Sequence, residues 1–196
     1  MNKLLQLLII IFISVFICSC HHKKIVVYGD NDIQVDDTKK NISVSDGTTF
    51  TVKELEFSDG GAVDLNVQWP KGKIVLTTSP EDGLSIANLT ADTIVGSYQH
   101  VGADNGQVKL TTDQLKYMVD SLYQLTGGMN IAPKNRNYFI APGKVVRITD
   151  NTKAKIFPPY TKMPPGFDAS ATPEVYKFYT NREVREIIDN LTKMIN

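Results

Sequence analysis

Between residues 41 and 110 the chain is broken by turn chemistry at short, nearly regular intervals, and this punctuation limits its fold more tightly than any other feature. Ser45-Asp46-Gly47, Ser58-Asp59-Gly60-Gly61, Pro70-Lys71-Gly72, Pro80-Glu81-Asp82-Gly83 and Asp104-Asn105-Gly106 are the marks. Glycine and asparagine accept a positive φ, aspartate closes its own turn and proline presets φ. Most of these turns lie about 11 to 13 residues apart, the interval of a β-meander or sandwich. Strands are expected between them at residues 49–57, 62–69, 73–78, 84–89 and 93–99. In 62–69 the period is plainest: Val63, Leu65, Val67 and Trp69 fall on one side, Asp64, Asn66 and Gln68 on the other. Trp69 is therefore expected in the core, with Pro70 closing the strand.

Two helices interrupt this pattern. Thr111 and Gln114 form a capping box, Leu115, Met118, Val119, Leu122 and Leu125 make one apolar stripe, and Gly127-Gly128 ends the helix. The last helix opens in the same way on Thr180 and Glu183 and presents Val184, Ile187, Ile188, Leu191 and Met194, with Asp189 and Lys193 paired on its wet face. Shifting one helix by 69 residues lays Thr111 on Thr180, Asp120 on Asp189 and Leu122 on Leu191. The segments upstream do not match, and capped amphipathic helices resemble one another in any case.

Elsewhere, Ile25 to Tyr28 reads as a short strand or a docked linker, and 138–148 as a hairpin turning at Pro142-Gly143-Lys144. Short strands follow at 154–157 and 175–179. The expected fold class is α+β, a mainly antiparallel β-sheet system (meander or sandwich) with two amphipathic helices packed on it.

The first twenty residues carry a different signal. A short positive start, Met1-Asn2-Lys3, leads into the apolar run from Leu4 to Ile17, as a secretory leader requires. Ile17-Cys18-Ser19-Cys20 then resembles the lipobox of bacterial lipoproteins. That resemblance covers these residues alone and implies a leader at 1–19 and Cys20 as the first mature residue, bearing a thioether-linked diacylglycerol and an acylated amino group. His21, where an aspartate would mark inner-membrane retention, points to the outer membrane, facing the periplasm. Leader cleavage without lipid, or an uncleaved short anchor, are the competing readings. The remaining chain divides into the lipidated cysteine and a polar tether at 20–40 and a single α+β domain at 41–196, with 41–128 and 129–196 as candidate subunits.

Composition excludes more than it assigns. Lys3 is the only charge in 1–19, so the remainder keeps all 21 acidic side chains against one basic side chain fewer than the full chain's 21. That balance argues against nucleic acid and gives no polybasic surface. Both cysteines, Cys18 and Cys20, sit in the leader region, leaving neither a disulfide framework nor a thiol nucleophile. No Gly-x-Ser-x-Gly, Ser-x-x-Lys, His-Glu-x-x-His or phosphate-loop pattern is present. The acidic run from Asp30 fails as a calcium loop, because Val35 and Asn41 stand where glycine and glutamate are needed. His100 with Asp104 is the one acid-base pairing on offer, and a turn explains Asp104 as well. No cofactor, metal or catalytic residue is expected.

The stretch from Pro158 to Phe167 is proline-rich with interspersed aromatics, and Tyr160, Met163 and Phe167 are its candidate contact residues for a protein or a glycan. The expected function is a non-catalytic binding or structural accessory role at the periplasmic face of a membrane. A periplasmic inhibitor or immunity protein is the alternative, and a cell-wall or polysaccharide hydrolase the second.

Overall fold

The structure, a computed structural model, describes residues 22–36, 40–58, 60–99, 110–164, 167 and 174–195. Cys20, His100 and Asp104 lie outside them. The described elements are β1 (Lys23–Gly29), β2 (Ile33–Asp36), β3 (Asn41–Val44), β4 (Thr51–Phe57), β5 (Asp64–Trp69), β6 (Gly72–Thr77), β7 (Gly83–Leu89), β8 (Ile94–Tyr98), α1 (Thr112–Thr126), β9 (Asn137–Ile140), β10 (Lys144–Thr149), β11 (Lys155–Phe157), β12 (Val175–Thr180) and α2 (Asn181–Ile195). The strands form three mainly antiparallel sheets, so the α+β class holds.

The sheets stack. An outer sheet ordered β2-β3-β5-β6 packs through Ile42, Leu65, Val67 and Leu76 on Ile25, Val27, Leu55 and Ala87 of a central sheet ordered β10-β7-β1-β4. The opposite face of the central sheet, with Val26, Tyr28, Leu84 and Ile86, packs on Ile94, Ile140, Tyr176 and Phe178 of a third sheet ordered β11-β12-β8-β9. The far face of that sheet, through Val95, Phe139 and Tyr179, is covered by Val184 and Ile188 of α2 and by Val119, Leu122 and Leu125 of α1. Alternate side chains of one strand thus feed two different cores.

This stacking corrects three sequence expectations. Of the two readings of Ile25 to Tyr28 the strand holds and the docked linker does not, and Lys23–Gly29, placed within the tether, is the middle of the central sheet, parallel to β7 and antiparallel to β4 over seven residues each. Its apolar run shows no alternation because both faces are covered, as strands of a buried parallel pair require. Ile33–Asp36, also assigned to the tether, pairs with β3. Among the described residues, both strands belong to the folded domain. A division at 128 runs through two sheets, since β10 pairs with β7 and β9 and β12 pair with β8.

The third correction concerns 138–148. β9 and β10 are joined by the expected turn but belong to different sheets, with Gly143 N–H donating to Asn88 C=O at 2.7 Å. β10, six residues long, finds in the seven residues of β7 a longer partner than the four of β9. Both capping boxes form as read. Thr111 Oγ1 accepts from Gln114 N–H and Gln114 Oε1 accepts from Thr111 N–H. Glu183 Oε2 likewise accepts from Thr180 N–H at 2.9 Å, and Thr180 Oγ1 from Glu183 N–H at 3.1 Å. β5 keeps its alternation, with Leu65 and Val67 buried and Trp69 half-buried at its end beneath the ammonium of Lys71.

Candidate functional site

β1 and β7 run in the same direction, so the sheet stack has two distinct poles. At one lie His22 and Gly83, and at the other the ends of β1 and β7 meet the starts of β4 and β8. At the second pole polar side chains converge on a depression beside two aromatic rings.

Its rigid wall is the β7–β8 turn. Asn88 is fully buried, and its amide nitrogen donates to Asp92 C=O at 2.9 Å and Ile140 C=O at 2.8 Å. Its Oδ1 accepts from the N–H and the hydroxyl of Thr90 at 3.0 and 2.7 Å. Every strong hydrogen-bonding position of this buried amide is used, which fixes the loop. Asp30, just past β1, accepts from Ala91 N–H and ties the turn to the central sheet.

The second wall is the start of α2. Asp92 Oδ1 accepts from Thr93 N–H at 2.8 Å, and Oδ2 from Arg182 N–H at 3.1 Å, setting a carboxylate against the positive end of the helix. Glu183 performs a second task beyond its cap: Oε1 accepts from Tyr160 N–H at 2.7 Å. Tyr160 sits at φ +61°, in the left-handed region that costs a bulky side chain free energy. The Glu183 bond, a 3.2 Å contact between the Tyr160 and Thr180 hydroxyls, and an edge-on contact with Phe50 at 5.5 Å hold it there. Phe50 in turn leans on the buried Tyr28 ring at 5.4 Å, so a column of three rings links core to surface.

Together these elements enclose a cleft of about 650 Å³ lined by Phe50, Tyr160, Asp30, Asp92, Arg182 and Glu186, with the hydroxyl-bearing Thr48, Thr90 and Thr180 between them. A smaller depression of about 330 Å³ adjoins it at Asp92, Asn181, Arg182 and Arg185. There the Asn181 side-chain oxygen is buried with no hydrogen-bond partner among the described residues. Beneath the loop, the buried Lys177 ammonium donates to Pro158 and Phe178 carbonyls at 2.7 Å each and lies 4.3 Å from the Tyr179 ring centroid. Burial lowers it to about 8, with the nearby Glu183 carboxylate opposing the shift.

Asp30 and Asp92 are engaged by backbone donors, and among the described residues no three His, Cys, Asp or Glu side chains are grouped to hold a metal. Of the contact residues expected from sequence, Tyr160 is 56 % exposed and lines the cleft. Phe167 instead folds onto the buried Phe157, edge-on at 5.1 Å, and Met163 is half-buried. Asp30, Phe50, Asp92 and Arg182 were missed because they come together only through tertiary pairing. The available hint was the run Asn88-Leu89-Thr90-Ala91-Asp92-Thr93, dense in residues that bond their own backbone.

A second depression, of about 640 Å³, lies over the outer sheet along Asn41, Ser43, Asn66, Gln68, Lys73 and Val75. It lacks the ring column and the convergent charges of the polar cleft. Compared with protein-family models, with curated proteins and with solved structures, the chain matches none of them.

Proposed function

We propose that this chain is a non-catalytic envelope lipoprotein, anchored through Cys20 in the outer membrane facing the periplasm, whose binding site is the cleft at the α2 pole. One observation carries the reading: two rings, Phe50 and Tyr160, line the cleft beside Arg182 and the carboxylates of Asp30 and Asp92, which backbone N–H groups already hold in place. A preformed cleft of this size with few convergent polar groups is the usual form of a ligand site. Rings supply flat apolar contact, while Asp30, Asp92, Glu186 and the threonine hydroxyls accept hydrogen bonds. That combination fits a glycan, whose sugars have apolar faces and hydroxyl rims.

The test is binding of cell-wall and polysaccharide fragments to the protein and to Phe50→Ala, Tyr160→Ala and Arg182→Ala variants. Each loss is expected to weaken binding about tenfold, the equivalent of roughly 1.4 kcal/mol. A fragment that binds all four proteins equally would remove the cleft from the reading.

The inhibitor or immunity reading is favoured by one feature, the exposed Tyr160 ring on a loop pinned by Glu183. Rigid aromatic side chains contact a partner at low entropic cost. Under that reading a single envelope enzyme is captured in fixed ratio and Tyr160→Ala alone releases it.

A further inference from the structure

We propose that the pole of the domain around His22, Ser79 and Glu81 rests on the phospholipid bilayer, so that the cleft faces away from it and takes its ligand from the aqueous side. This rests on the lipoprotein reading and adds an orientation to it.

The argument begins with the length of chain between anchor and fold. His22, the first described residue, is already held, its C=O accepting from Gly83 N–H at 3.1 Å. Lys23 is 1 % exposed, and its ammonium donates to Gly61 C=O at 2.5 Å and Ser79 C=O at 2.7 Å. The chain is thus clamped from its first described residues. Gly83 itself has φ +122°, and a Cβ there would stand 2.1 Å from Thr149 C=O, which packs the 149–150 turn against the same point. Only His21 separates Cys20 from His22. At no more than about 3.6 Å per residue, two steps of chain span about 7 Å.

A diacylglycerol on Cys20 is seated at the bilayer interface. With a leash of about 7 Å, the domain cannot drift or turn end over end: the surface next to His22 must lie against the headgroups. That surface is formed by Gly61, Ser79, Glu81 and Asp150, with the 39 % exposed Ile131 beside them on the rim shared with Ser79 and Glu81.

β1 sets the height of the cleft. It leaves the clamp at Lys23 and ends at Gly29, next to Asp30 in the cleft wall. At roughly 3.3 Å per residue, this separates the two poles by about 20 Å. The same strand that roots the anchor therefore presents the binding site, with no flexible element between.

The test uses the full-length lipidated protein in vesicles of phosphatidylethanolamine and phosphatidylglycerol carrying a headgroup quencher. Residues 1–19, including Cys18, are removed in maturation and the Cys20 sulfur is blocked, so an introduced cysteine is the sole free thiol. A fluorophore at Glu81→Cys is expected to be quenched several-fold more strongly than one at Thr48→Cys in the cleft wall. A flexible Gly-Ser insertion after Cys20 is expected to shrink that contrast, and a contrast indifferent to the insertion would overturn the leash as its cause. Flotation with equal quenching at both labels overturns the orientation alone. Failure of the protein to float with the vesicles overturns the lipoprotein reading and the orientation with it.

Discussion

α1 and α2 are both fifteen residues long, both open on a capping box and both carry an apolar stripe, yet the fold uses them differently. α1 fully buries one side chain, Leu115, and leaves Tyr117 at 74 % and Tyr123 at 57 % exposure. α2 buries Val184 and Ile188 against Val95, and its first turn is wired by three bonds to two other segments: Asn181 N–H to Thr93 C=O and Arg182 N–H to Asp92 in the β7–β8 turn, and Glu183 to Tyr160. Local sequence specifies that a helix forms and where it starts. What surrounds its N-terminus decides whether it is a cover or part of a site.

The sharpest way to break that contrast is in the apolar stripes. Ile188→Ala is expected to cost about 2–5 kcal/mol, because the closely packed surroundings of a 3 % exposed side chain cannot collapse into the space left. Met118→Ala on α1, where the side chain is 38 % exposed, should cost less than about 1 kcal/mol. Urea midpoints for the two variants measure both. Equal losses would mean that α1 carries as much of the fold as α2.

The next effect is electrostatic and lies beneath α2. Lys177 is lowered by burial to about 8 from an ordinary value of 10.5. Between those values the unfolded chain holds a proton that the folded chain has released, so stability rises with pH across that window and is lost as pH falls through 8. The amount is on the order of 3 kcal/mol. Burial also raises Tyr28, Tyr138, Tyr176 and Tyr179 above 10. For these the sign reverses: the unfolded tyrosines ionise first, and stability falls as pH climbs beyond about 10. Unfolding midpoints measured across alkaline pH should therefore pass through a maximum between about 9 and 10. Lys177→Met should flatten the rising limb and leave the falling one. A wild-type curve with no rise above pH 8 would remove Lys177 as a buried cation.

The parts of this molecule that were legible in the sequence are those whose cause is local. Turn residues bounded β4 to β8 to within a residue or two, β5 declared its buried face by alternation, and Thr111, Gln114, Thr180 and Glu183 announced both helix starts. Ile25-Val26-Val27-Tyr28 was not legible as a central strand, because a strand covered on both faces has no period to read. The tether reading failed there. The cleft was invisible for a related reason. Asp30 and Ala91 are bonded across 61 residues and Asp92 and Arg182 across 90, separations that no window along the chain can join. Tyr160 was found only because its loop stands out in composition.

The smallest effects test the two caps directly. Gln114→Ala and Glu183→Ala each remove an acceptor from the N–H of the capping threonine, a loss of about 1 kcal/mol or less for an exposed cap such as that of α1. Glu183 has a second acceptor oxygen, on Tyr160 N–H, and that bond helps hold a left-handed tyrosine whose backbone would otherwise relax. Glu183→Ala should therefore cost more, about 1–3 kcal/mol, since hydrogen bonds to a charged group are the stronger kind. Amide exchange separates the two parts of the loss. In Gln114→Ala the Thr111 amide alone should exchange faster, whereas in Glu183→Ala the amides of both Thr180 and Tyr160 should, and ligand binding at the cleft should weaken along with them. If Tyr160 exchange is unchanged by Glu183→Ala, the loop is held by its contacts with Phe50 and Thr180 instead, and the wiring of the start of α2 reduces to its bonds with Asp92 and Thr93.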